Sequence, residues 1–151
     1  MPFPVFEYLW ENHWAMVAVP PDRIPVTATE AEYLAAVAAL EETGQIERAN
    51  IAYRTLLKRW PQNLIARMGL GNTAYKLGDL ATAEAAFREA TLRDPQSAAA
   101  FNNLAQTLAD RGKLKAARVA AERAVALAGD NLPVARETLE AVRKTAQSKT
   151  R

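Results

Sequence analysis

The reading of the fold turns on the stretch from Leu70 to Pro95, with Leu70-Gly71-Asn72, then Gly78-Asp79-Leu80, Ala83, Phe87, Ala90 and Asp94-Pro95. Its landmarks recur on both sides at a spacing of 34 residues. Gly44, Gly78 and Gly112 form one series; Ile46, Leu80 and Leu114 form another; Ala49, Ala83 and Ala117 form a third. Pro61 and Pro95 continue the rhythm with Gly129 in the third slot, and Tyr53 and Phe87 are followed by Ala121. Self-similarity at a fixed period of this length marks stacked supersecondary units, each unable to bury its apolar face alone.

Every recurring position has a physical task. The glycine ends a helix where the chain must reverse, which calls for a residue tolerant of positive φ. The small alanine lets the second helix approach the first closely, and the aromatic four residues later fills the space between them. The proline stops the second helix. Helix starts recur in the same register, at Thr29, Asn63, Ser97 and Asn131. All four are residue types whose side-chain oxygen can accept an orphan N–H, and Thr29 with Glu32 spells a capping box. The pattern predicts helices near 30–43, 46–59, 64–77, 80–93, 98–111, 114–128 and 132–146, the last with Pro133 in its first turn.

The stretch quoted above resembles a tetratricopeptide repeat. Residues 98–129 match again through Phe101, Leu104, Leu108, Gly112, Ala117 and Ala124, and residues 30–61 through Tyr33, Leu40, Gly44, Ala49, Tyr53 and Pro61. The chain departs from the pattern at Arg67, where a large apolar residue is usual, and at Ala121, which is smaller than the usual aromatic. The resemblance implies an all-α solenoid of three helical hairpins (30–61, 64–95 and 98–129) with a capping helix over 132–146. Residues 147–151 are expected to be a disordered tail. The capping helix carries Leu132, Ala135, Leu139 and Val142 on one side and charged residues on the rest, as the end of a stacked array requires.

Residues 1–28 lie outside the repeat. Val5–Trp10 alternates, placing Phe6, Tyr8 and Trp10 on one side if extended, and His13–Val19 is a second β-prone run, so a hairpin is expected. A short helix with Phe6, Trp10, Trp14 and Val17 on one stripe is the alternative. Pro20-Pro21 and Pro25 then make a stiff linker. The run Phe6-Glu7-Tyr8-Leu9-Trp10, His13-Trp14-Ala15-Met16-Val17 and Pro20-Pro21 resembles the closing strands of a C39-like cysteine peptidase domain, which precedes such repeats in some bacterial proteins. That resemblance implies the C-terminal part of such an architecture. With no cysteine in the chain, peptidase activity does not carry over. Phe6, Tyr8, Trp10 and Trp14 are expected either to cap the first repeat or to mediate self-association as a homodimer.

Composition narrows the function. The chain is 50% hydrophobic and 24% charged with a net charge of +2, so it lacks the clustered basic surface that nucleic-acid binding needs. Without cysteine, disulfides and thiolate metal sites are excluded, and no apolar run is long enough for membrane insertion. With no basic leader segment, a cytoplasmic location is expected for the chain as it stands, or a periplasmic one within a larger exported protein. His13 is the single histidine, and the two serines, Ser97 and Ser148, fall at a cap and in the tail, so a nucleophilic triad has no candidate. The pairs Glu30/Glu32 and Glu41/Glu42 read as solvated helix-end carboxylates. No enzyme activity, cofactor or metal is expected.

A binding surface is. The family resemblance implies that the first helix of each hairpin lines a concave groove. Its lining would be Ala31, Leu34, Ala35, Ala38, Glu41 and Glu42 in the first repeat. Ile65, Met68, Gly69, Asn72, Tyr75 and Lys76 follow in the second, and Ala99, Asn102, Asn103, Gln106, Ala109 and Asp110 in the third. Asn72, Asn102, Asn103 and Gln106 each offer a donor and an acceptor to the backbone of an extended peptide, while Met68 and Tyr75 add adaptable apolar contact and Lys76 completes the expected peptide-binding set. Asn72 and Asn103 fit a carboxylate clamp, but Met68 stands where such a clamp needs lysine. The expected partner is therefore a protein or peptide segment held in the groove.

Overall fold

The computed structural model describes residues 6–10, 13–17, 21–129 and 131–148, with strand pairing alone for the first two stretches. These residues fall into two compact units, Met1–Thr73 and Ala74–Arg151. The architecture is the expected all-α array of helical hairpins and a final helix, with a β-hairpin in front.

In the first unit, β1 (Phe6–Trp10) and β2 (His13–Val17) pair antiparallel, with Phe6 opposite Val17, Leu9 opposite Trp14 and Trp10 opposite His13. Of the two forms weighed for this segment, the extended one is found. Helix α1 (Glu30–Glu42) opens with the capping box: Thr29 Oγ1 accepts from Glu32 N–H, and Thr29 N–H donates to Glu32 Oε2 at 2.8 Å. It ends at Gly44, whose φ of +74° lets Gln45 N–H reach back to Leu40 O at 2.8 Å. Helix α2 (Ile46–Arg59) returns along it, and α3 (Leu64–Lys76) begins behind the Asn63 cap, whose Oδ1 accepts from Ala66 N–H at 2.7 Å.

The core of this unit is Tyr33, Val37, Leu40, Ala49, Ala52, Tyr53, Leu56 and Ala66, each contributing through apolar area removed from water. The proline linker closes its open end. Tyr33 Oη donates to Pro21 O at 3.1 Å, Ile24 packs on the core, and Arg59 donates to the Pro25 and Val26 carbonyls. A second close fit joins α2 to α3. A Cβ built on Gly69 would stand 2.2 Å from Cζ of Tyr53, so only glycine admits the ring there. Beside it, Asn50 Nδ2 donates to the buried Thr73 Oγ1 at 3.0 Å. Arg67 fills its departure from the repeat pattern by donating to Pro61 O at 2.7 Å.

The second unit holds the end of α3, then α4 (Leu80–Arg93), α5 (Ala98–Asp110), α6 (Leu114–Ala128) and α7 (Pro133–Ser148). Asp79 caps α4 through Thr82 N–H, and Ser97 caps α5 through Ala100 N–H. The interior is built largely from small residues, with Ala100, Ala105, Ala117, Ala121 and Ala124 all fully buried. Small side chains let the helix axes come close, so Ala121 stands where an aromatic is usual and is itself sealed from water. Asn131, the fourth residue in the cap series, makes no side-chain cap bond among the described residues: α7 starts one residue later than expected, at Pro133, and the Asn131 backbone N–H donates to Ala128 O at 2.9 Å. The helix also runs on to Ser148, so part of the segment expected as a tail is helical.

One charge cluster ties α4 to the α5–α6 turn. The Glu84 side chain is 8% exposed and accepts from Arg88, Arg111 and Lys113, with Lys113 Nζ at 2.9 Å. Burial pushes its carboxyl up, but the hydrogen bonds from Lys113 and Arg88 and the charges of Arg111 and Lys113 outweigh that and hold it below the usual range.

Candidate functional site

Helix α5 buries Ala100, Leu104, Thr107 and Leu108 on one side. The opposite side carries Asn103, half-buried, and Gln106 and Asp110, exposed. Helix α7 buries the stripe Ala135, Leu139 and Val142, at the spacing of one helical face. Between the two helices lies a cavity of about 390 Å³. From α5 it is lined by Gln106, Ala109 and Asp110; from α7 by Val134, Glu137, Thr138, Ala141, Val142 and Thr145. The lining is mixed: alanine and valine methyls together with an amide, hydroxyls and two carboxylates.

Asp110 is held from one side. Tyr75, at the end of α3, donates its phenol to Asp110 Oδ2. Burial, then the hydrogen bond to Asp110 and its negative charge, push the Tyr75 phenol up to about 12, so it stays a neutral donor through the physiological range. The pair joins residues 35 positions apart and fixes the rim of the cavity.

The expected groove residues are placed as follows. Gln106 lines the cavity, and Tyr75 holds Asp110 at its edge. Asn103 is half-buried one turn before Gln106, and Lys76 is exposed at the end of α3. Met68 and Asn72 are half-buried on the part of α3 that belongs to the first unit. Asn102 is turned inward: it is 4% exposed on the stripe shared with Ala98 and Ala105, with its Nδ2 3.5 Å from Asn103 Oδ1 and no partner for Oδ1 among the described residues. Gly69, also expected on the surface, is buried against Tyr53.

The paired carboxylates are more engaged than their solvated reading implied. Glu32 completes the capping box, Glu30 accepts from Asn63, and Glu41 accepts from Tyr53 Oη at 2.6 Å. The side chains of Phe6, Tyr8, Trp10 and Trp14 lie outside the described residues, and the capping or self-association role expected of them lies there too. Among the described residues no group of three His, Cys, Asp or Glu could hold a metal ion, and no helix is long and apolar enough to cross a membrane.

Sequence reasoning missed the contribution of α7, which was read as a cap alone. The signal was present: Asn131 follows Ser97 in the 34-residue register, so α7 stands where the first helix of a fourth repeat would.

A tetratricopeptide repeat family model matches residues 34–91 and 70–131. It leaves the first twenty residues unmatched, and nothing supports their resemblance to a C39-like peptidase. No curated protein sequence matches the chain. Among solved structures, the Sgt2 TPR domain from Aspergillus fumigatus is similar at a TM-score of 0.74 and 19% identity, over 80% of this chain and 81% of that one. The first TPR of Spaghetti (RPAP3), bound to the HSP90 peptide SRMEEVD, is similar at 0.72 and 17% identity, over 82% and 99%. The Arabidopsis OM64 TPR domain is similar at 0.71 and 18% identity, over 77% and 95%.

Proposed function

The chain belongs to the tetratricopeptide repeat family, and from that premise we propose that it binds an extended segment of another protein along α5 and α7. The carrying observation is the cavity between those helices, with the Gln106 amide on one wall and Asp110, fixed by Tyr75, at its rim. Asn103 and Gln106 can each give and take a hydrogen bond with a partner backbone, while Ala109, Val134 and Ala141 offer apolar contact. Lys76 extends the face from the end of α3. Met68 and Asn72 lie on the part of α3 in the first unit, and the family resemblance implies a peptide-facing role for them there. A related fold seen with a peptide in place supports the reading.

A surface of this size, with few buried anchors, predicts an affinity on the order of micromolar. The test is a fluorescence-anisotropy titration with peptides selected from a displayed random library. Wild type is compared with the Asn103→Ala/Gln106→Ala double variant. A loss of about tenfold in the variant supports the reading, and equal affinities remove this face from it.

Self-association is a second reading, favoured by the hairpin. Its sheet has only two strands among the described residues, and an isolated two-stranded ribbon is marginally stable. Pairing edge to edge with a second copy would extend it. Removing residues 1–20, while keeping Pro21 and Ile24, should convert a dimer to a monomer by light scattering. A full-length chain that is already monomeric at high concentration ends this reading.

A further inference from the structure

We propose that the α5–α7 cavity is selective for a basic partner segment, taking a lysine or arginine side chain against Asp110 and Glu137. The inference rests on the binding reading above and adds the chemistry of the occupant. Two carboxylates and no cation line the cavity, in a chain whose net charge is +2. The neighbouring cations are committed elsewhere. Arg111, next to Asp110, pairs with Glu84; Arg143 reaches Glu122 on α6 at 3.6 Å; Arg136 donates to Gly129 O at 3.5 Å. Lys76 and Lys144 complete the cations of the last turn of α3 and of α7, and neither lines the cavity.

The carboxylates themselves are left to act on a ligand. Asp110 meets a neutral phenol, which orients it without cancelling its charge. Glu137 makes no ion pair or hydrogen bond among the described residues. Ala109 and Ala141 add apolar lining to the same cavity, and Val134, also in its lining, remains 43% exposed. A long basic side chain has the matching build: an aliphatic stem for the apolar lining and a charged head for the carboxylates. An acidic segment would meet like charge at the same point.

Selection from a phage-displayed random peptide library tests this, with wild type and the Asp110→Asn/Glu137→Gln variant as separate baits. The expected result is enrichment of lysine and arginine on wild type and none of that bias on the variant. A selected peptide should bind about tenfold more weakly when its basic residue is replaced by norleucine. That difference should shrink at high salt, and equal melting temperatures of the two baits would show that the variant is folded. Peptides enriched without basic bias, or with acidic bias, overturn the charge inference while leaving the binding reading in place. Failure to enrich any sequence on wild type overturns the binding reading itself.

Discussion

At the residue scale, two contacts carry consequences well beyond their size. Gly69 sits in mid-helix, where alanine is ordinarily better by about 1 kcal/mol. Here the added methyl would overlap the Tyr53 ring at 2.2 Å, and that ring is buried with its hydroxyl held by Glu41. The ring cannot swing away, so overpacking outweighs propensity. Gly69→Ala should destabilise by about 1–3 kcal/mol in urea unfolding, with Gly69→Ala/Tyr53→Leu regaining part of the loss. Glu84 is the second case. Its folded pKa is depressed, so the stability it adds is present above the unfolded carboxylate range and is lost as pH falls through the folded value. Glu84→Gln should cost about 1–2 kcal/mol at neutral pH, discounted for the partly exposed cations around it. The variant should also show a flatter loss of melting temperature on acidification below about pH 4.5 than wild type. If both proteins melt in parallel across that range, the cluster contributes nothing. Neither contact was legible in the sequence, because each depends on which residues meet across 16 to 29 positions of chain.

At the scale of elements, local chemistry was more readable. The glycine and cap series placed the helices to within a residue or two, since turns and caps are decided by groups close in sequence. Ser97→Ala should lower stability by about 1 kcal/mol through the lost bond to Ala100 N–H, measured by thermal melting. Asn131→Ala should have a smaller effect, because α7 begins at Pro133 and the Asn131 side chain makes no hydrogen bond to that helix among the described residues. The front segment shows where such reading stops. Phe6, Trp10, Trp14 and Val17 fit a helical stripe while Phe6, Tyr8 and Trp10 fit alternation, so periodicity alone supported both forms. The antiparallel pairing that resolves it is a property of two segments together.

At the scale of the whole molecule, the repeat count and fold class followed from the 34-residue rhythm, but only half of the candidate site did. Gln106, Ala109 and Asp110 were placed on the surface by register. Their counterparts on α7 were not, because amphipathicity shows which stripe a helix buries and not what space its flank encloses. Ending the chain at Asn131 tests the dual role of α7. Phe101, Ala124 and Ala128 would lose their cover, so the melting temperature should fall by several degrees and peptide binding should vanish. Retained binding by the shortened chain would place the partner elsewhere.

Because α7 lines the cavity and also carries charges on the side it turns to water, that outer side is poorly suited to receive another hairpin. Arg136, Glu140, Arg143 and Lys144 stand in water on its outer flank. Another hairpin laid there would have to strip these side chains of part of their hydration and would compete with the contact between Arg143 and Glu122. Seating a further hairpin against that side would therefore mean rewriting α7 first, and the pocket would be redrawn with it.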